Sequence, residues 1–221
     1  MIKKTAILSR LATIFALISI PSLILNGVFL YREKTFRVDQ VIGVISVYDG
    51  DTLILDNKER LRLRQLDAPE LELCGGQEAK KKLVELVSGK RVRITEQIPD
   101  QQGRGMALVY VDKTLVNKEL LAGGYARYHS DKTSQTEALK IAADEAKGNN
   151  LGIYGTCQSM TNSKNPNCTI KGNIDRTRKT YHVPGCIQYP FAVVEEDVGE
   201  QWFCTEKEAQ AAGYIKSERC P

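Results

Sequence analysis

Within "LRLRQL" (61–66), Leu61 and Leu63 alternate with Arg62 and Arg64. Only an extended strand puts those leucines on one face and both arginines on the other, so the segment has to lie on a core with one side buried. Its neighbours share that habit. "VDQVIGVISVYDG" (38–50), "DTLILD" (51–56) and "ERLRLRQLD" (59–67) are β-rich runs divided by short turns and read as a meander. "RVRITEQ" (91–97) and "MALVYVD" (106–112) supply two more strands, joined through the turn "IPDQQGRG" (98–105). Between and after them lie helical patterns. "GQEAKKKLVELVSG" (76–89) repeats its apolar residues at Ala79, Leu83, Leu86 and Val87 and stops at Gly89; "LVNKELLAGG" (115–124) and "SQTEALKIAADEAKGN" (134–149) follow. Five short strands with three helices predict an α+β fold, a small OB-like barrel capped by helices.

Acids gather where the turns of this barrel fall. Asp49 and Asp51 flank Gly50, and Asp67 and Glu70 bracket "DAPE" directly after the alternating strand. Taken singly, each acid reads as turn chemistry. Together, carboxylates converging on one barrel end repel each other unless a cation neutralises them, and oxygen donors without His or Cys favour Ca²⁺ or Mg²⁺ over zinc. Arg62, and Arg104 in a Gly-flanked turn, add the forked donors that a phosphodiester needs. Arg64 is expected as surface or substrate-rim charge.

"VYDGDT", "RLRQLDAPE", "GRGMALVYV", "VNKELLAGGYAR" and "AKGNNLGIYG" stand in the order and spacing of the staphylococcal nuclease (thermonuclease) family, which the chain resembles from Val38 to about Gly155. The resemblance implies a five-stranded OB-fold-like barrel with three helices and a Ca²⁺-dependent phosphodiesterase acting on DNA and RNA, single-stranded or unstacked. It places the calcium ligands at Asp51, Asp67 and the Ala68 carbonyl, with Asp49 acting through water. It places the phosphate-binding arginines at Arg62 and Arg104, and the carboxylate that orients or deprotonates the attacking water at Glu70. The loop after "DAPE" is shortened to "LELCGG", Gln101 and Gln102 replace a lysine and a tyrosine, and "RYHSDK" lacks two base-stacking tyrosines. Base preference therefore does not carry over.

The flanks carry the remaining expectations. Leu11 to Tyr31 contains no charge, follows Lys3, Lys4 and Arg10, and is long enough at ~1.5 Å per residue to cross a bilayer. Residues 1–36 are thus a signal anchor or a cleaved signal peptide, the anchor being favoured because no A-x-A site follows. Either reading puts the rest outside the cytoplasm, at the cell membrane or secreted. Without those three cations the 31 basic residues nearly balance the 27 acids, so phosphate binding has to come from placed arginines rather than from a basic field.

Six cysteines suit an oxidising compartment: Cys74 and Cys157 in the barrel domain (38–157), and Cys168, Cys186, Cys204 and Cys220 in a small module (168–221) beyond a polar linker (158–167). The four tail cysteines fit a zinc site or two disulfides. Disulfides are favoured because no C-x₂-C pair is present, with partners Cys168–Cys204 and Cys186–Cys220, and Cys74–Cys157 in the barrel. The tail resembles a small Sunset-type domain, which implies no defined activity. Trp202 and Phe203 are expected to form its core, the sharper alternative being a stacking platform at Trp202. The chain is expected to act as a monomeric, membrane-anchored nuclease. The competing reading is a non-catalytic nucleic-acid- or protein-binding module.

Overall fold

The computed structural model describes Ile20, Ser22, Leu23, Asn26 and residues 40–221. The N-terminal region 1–36, with the membrane segment expected over Leu11–Tyr31, lies apart from those four residues outside the described residues. Among the described residues no helix is long and apolar enough to cross a membrane.

Residues 40–221 form one compact unit. Its first half is a closed barrel built from β1 (Gln40–Val47), β2 (Thr52–Leu55), β3 (Arg60–Leu63), β5 (Arg91–Pro99) and β6 (Gly105–Val111), with β4 (Leu66–Asp67) branching from the end of β3. The strands run in the order β3-β2-β1-β5-β6, and β3 pairs with β6 to close the ring. That closing seam is parallel, Arg62 opposite Met106, whereas the other barrel pairs are antiparallel. Register shifts between Val44 and Ser46 and between Thr95 and Ile98 bend β1 and β5 so that each can serve two neighbours.

The alternation in β3 works as expected: Leu61 and Leu63 are 1% exposed and point inward beside Leu53, Ile94 and Leu108. Three helices close the core, α1 (Gly76–Val87) through Leu83 and Val87, α2 (Val116–Ala122) through Leu120 and Leu121, and α3 (Thr136–Gly148) through Leu139. Asn117 is a fully buried polar side chain in this interior. It accepts from the Val109 amide (2.9 Å) and donates to the Arg64 and Ala107 carbonyls (2.8 and 3.2 Å), so it satisfies backbone groups where β3 leaves the barrel.

Further along come β7 (Thr114–Leu115), β8 (Arg127–Tyr128), the four-residue α4 (Ile153–Thr156), β9 (Gln158–Ser159), β10 (Ile170–Asp175), β11 (Arg178–His182), β12 (Val194–Glu195), β13 (Gln201–Phe203), α5 (Glu206–Ala211) and β14 (Ile215–Lys216). In the stretch read as a linker, β9 instead pairs antiparallel with β12 and ties the two halves together. The segment lacks apolar periodicity, but its backbone groups form a ladder whatever the side chains are. Beyond it stands a sheet ordered β13-β10-β11-β14. Its core is five side chains: Ile170, Tyr181, Phe203, Ala209 and Tyr214. Trp202 is not among them. It alternates with Phe203 across β13, so when Phe203 turns inward to meet Tyr214 edge-on, Trp202 faces the other side, over Lys171.

Disulfides join Cys74 to Cys157, Cys168 to Cys204 and Cys186 to Cys220.

Candidate active site

The turn from β1 to β2 is squeezed between two other elements. A Cβ on Gly50 would stand 2.6 Å from the Ala68 side chain and 2.8 Å from that of Ala79, so only glycine lets this turn pass beneath the "DAPE" loop and α1. Asp49 folds the turn by accepting the Asp51 amide at 3.1 Å. Asp51 then enters β2 almost wholly buried, at 2% exposure.

A buried carboxylate needs partners, and Asp51 has three. Its Oδ1 accepts from Thr52 Oγ1 (2.9 Å) and Arg62 Nη1 (2.7 Å), and its Oδ2 from the Ala68 amide (3.1 Å). These do not fully offset the loss of water. Burial raises its pKa to about 7, Arg62 pulling down and Asp49 pushing up.

Arg62 leaves β3 on the face opposite its leucines. One fork holds Asp51 and the other holds Asp67 at 2.6 Å. Burial opposes the arginine's charge, yet Asp51 and Asp67 outweigh it and hold the guanidinium above its ordinary pKa. Asp67 itself is half exposed. The chain reaches it through Gln65, a buried residue with φ of +64°. A left-handed glutamine costs about 1–2 kcal/mol, and a network offsets this. Gln65 donates to the Asp131 carbonyl (2.7 Å) and to Thr136 Oγ1 (3.1 Å), and accepts from Thr133 Oγ1.

Glu70 follows on an exposed loop and makes no ion pair among the described residues. Gly76, at the start of α1, fixes that loop: a Cβ there would lie 2.0 Å from the Glu70 carbonyl oxygen. Arg104 sits apart, exposed in the β5–β6 turn. Asp100 binds its Nε at 2.7 Å and its backbone amide at 2.8 Å. The parallel β3–β6 seam brings this turn alongside the strand of Arg62, but the guanidinium is not on the acid cluster. The fold thus gathers Asp49, Asp51, Arg62, Asp67 and Ala68, leaving Glu70 and Arg104 at the rim.

Arg64 overturns its expected place at the surface. It is 7% exposed; its Nε and Nη2 bind the Asp131 carboxylate, and it donates to the Glu96 and Lys132 carbonyls at 2.9 and 3.0 Å. Alternation put it on the solvent side of β3, but the loop before α3 folds over that side, from 67 residues away in sequence.

The cation-ligating atoms gathered at Arg62 are the carboxylate oxygens of Asp51 and Asp67, while Ala68 turns its amide to Asp51. Two carboxylates without His or Cys beside them fit a hard divalent cation. Among the described residues, one group of three His, Cys, Asp or Glu brings its ligand atoms within 4.8 Å of one another: His182, Cys186 and Cys220. Both of those sulfurs belong to one disulfide, so neither is a thiolate ligand.

A family model described as "Staphylococcal nuclease homologue" matches residues 60–156. An uncharacterized endonuclease of Haemophilus influenzae is 31% identical over 158 residues, spanning 70% of this chain and 80% of that protein. An uncharacterized endonuclease of Escherichia coli O157:H7 is 31% identical over 134 residues, 57% of this chain and 84% of that protein. The probable staphylococcal-like nuclease CAN3 of rice (Oryza sativa subsp. japonica) is 32% identical over 113 residues, 51% of this chain but 29% of the rice protein.

Proposed function

The chain belongs to the staphylococcal nuclease family, and on that premise we propose that it is a Ca²⁺-dependent nuclease hydrolysing phosphodiester bonds of single-stranded or unstacked DNA and RNA. It acts as a monomer outside the cytoplasm, anchored by its N-terminal segment. One observation carries the catalytic part of the reading: Arg62 reaches a buried acid, Asp51, and a half-exposed one, Asp67, at 2.7 and 2.6 Å. A guanidinium and two carboxylates at a barrel rim make a centre that can hold a cation and a phosphate together.

Ca²⁺ at Asp51, Asp67 and the Ala68 carbonyl, with Asp49 acting through water, would draw charge from a phosphate oxygen. The protein's own groups do the rest. Arg62 turns a fork toward the phosphate and stabilises the negative charge that builds in the pentacoordinate transition state. Arg104, exposed and held by Asp100, exchanges that partner for a second phosphate oxygen. Glu70, exposed on its glycine-fixed loop, takes a proton from the attacking water or holds that water in line. The six oxidised cysteines support the placement outside the cytoplasm.

The test is kinetic. Arg62→Ala and Arg104→Ala should each lower turnover on single-stranded DNA by about 10³-fold, the upper range for losing one donor to a developing oxyanion. Arg62→Ala also leaves Asp51 buried without its cation, so the variant should be less stable in the absence of Ca²⁺. A wild-type rate in either variant would remove that arginine from the mechanism.

A further inference from the structure

Strand β4, which carries Asp67, is two residues long, and its partner β8 is no longer. Two such strands do not hold a register by themselves. Their pairing sets Leu66 opposite Tyr128 and Asp67 opposite Arg127. The Arg127 side chain then leaves the barrel for the cysteine-rich module. Its Nε donates to Asp197 at 2.6 Å, and its Nη1 meets Glu195 at 3.0 Å. The Asp197 carboxylate is 1% exposed. It rides on the 3₁₀ turn Glu196–Val198, whose first amide donates to the Cys157 carbonyl at 2.8 Å, next to the barrel disulfide.

This contact is poorly explained as a stability device. Arg127 Nη2, Asp197 Oδ1 and Gln158 Nε2 are all buried at the seam without a hydrogen-bond partner among the described residues. Charged groups desolvated and left partly unsatisfied cost more than an apolar seam of the same size would. What the ion pair supplies is geometry: a planar fork held by two carboxylates has one orientation. Burial works against the charge on Arg127, but Asp197 and Glu195 outweigh it and hold its pKa above the ordinary value.

We infer that Asp197 and Glu195 are positioning residues for the nuclease centre: through the Arg127 fork they fix β8, and through β8 they fix the Asp67 carboxylate. The cysteine-rich module is then a working part of the cation site, joined to it by an ion pair between residues 70 apart along the chain. The inference rests on the proposed role of Asp67 in holding Ca²⁺.

The full chain tests it, with Asp197→Asn, which removes the buried charge, and Arg127→Lys, which keeps the charge and loses the fork. Partners one shell beyond a metal typically matter by 10–100-fold in affinity. Titrated with Ca²⁺ in a calorimeter, Asp197→Asn should bind about 10–100-fold more weakly than wild type, and Arg127→Lys about 10-fold more weakly. The Ca²⁺ needed for half-maximal cleavage of single-stranded DNA should rise in parallel, while kcat at saturating Ca²⁺ stays within about threefold. Without Ca²⁺, the amides of β4 and β8 should exchange hydrogen faster in both variants than in wild type. If Asp197→Asn does not fold, Arg127→Lys decides the matter alone. Ca²⁺ affinity equal to wild type in the folded variants, or a fall in kcat at unchanged affinity, would overturn the inference. A wild-type chain that binds no Ca²⁺ would instead remove the reading beneath it.

Discussion

The barrel and the cysteine-rich module solve the same problem with different means. The barrel closes its sheet around a core that runs from Ile42 to Ala143, and can therefore bury a carboxylate such as Asp51 and an arginine such as Arg64 within its walls. The module has five core side chains and two disulfides. It also buries Lys171 at 1% exposure, with no carboxylate partner among the described residues. That ammonium donates to the Tyr189 and Ala192 carbonyls (2.9 and 2.7 Å) and lies near the Tyr189 and Trp202 rings. The contrast teaches where order comes from: apolar area in the first half, covalent and polar ties in the second.

The largest effect that could break this comparison is loss of the cross-links. Loops closed across sequence separations of 36 and 34 residues contribute about 4 kcal/mol each in the chain-entropy account, and the barrel's 83-residue separation slightly more. Replacing Cys168 and Cys186 by serine should unfold the module, exposing it to protease, and leave the barrel resistant. Cys74→Ser should lower the melting temperature and leave the barrel folded, because its core remains. If the barrel fails and the module survives, the contrast is wrong.

A smaller effect sharpens the barrel side. Arg64 holds the Asp131 carboxyl below its ordinary 3.8, with the Lys132 amide helping and burial opposing. A group whose pKa is depressed by folding stabilises above its unfolded pKa and ceases to do so as pH falls through the folded one. Asp131→Asn should therefore cost about 1.5–3 kcal/mol at pH 7, the range for hydrogen bonds to a charged group. Urea unfolding at pH 3 should show a smaller difference. An equal cost at both values would mean that the charge plays no part. Smaller again is Thr205→Ala in the module. Thr205 caps α5 by accepting the Glu208 amide at 3.2 Å, so its loss should cost about 1 kcal/mol, read as a lower unfolding midpoint.

Much of this was legible beforehand for a physical reason: local periodicity and turn chemistry act over a few residues. The alternation at Leu61 and Leu63 and the acids flanking Gly50 in its turn are signals of that range. What stayed hidden depends on partners brought in from afar. The same alternation sent Arg64 outward, and only the loop at Asp131 makes it interior. Gln158 and Ser159 look like linker until β12 lies beside them. Nothing near Arg127 announces Asp197, and nothing in "RQL" announces a left-handed Gln65. The sulfur chemistry lies between these cases, since export and the domain division favoured pairs that local geometry alone could not select.

The central claim is that the barrel's acids work through a divalent cation bound by oxygen. The most direct measurement is the rate at which the full chain cleaves single-stranded DNA in Ca²⁺, in excess EGTA, and in EGTA followed by Ca²⁺ restored above the chelator. The rate should vanish in EGTA and return with Ca²⁺, and zinc in its place should restore little, because among the described residues no His or Cys joins Asp51 and Asp67 in a metal-binding group. Cleavage undiminished in excess EGTA would contradict the claim.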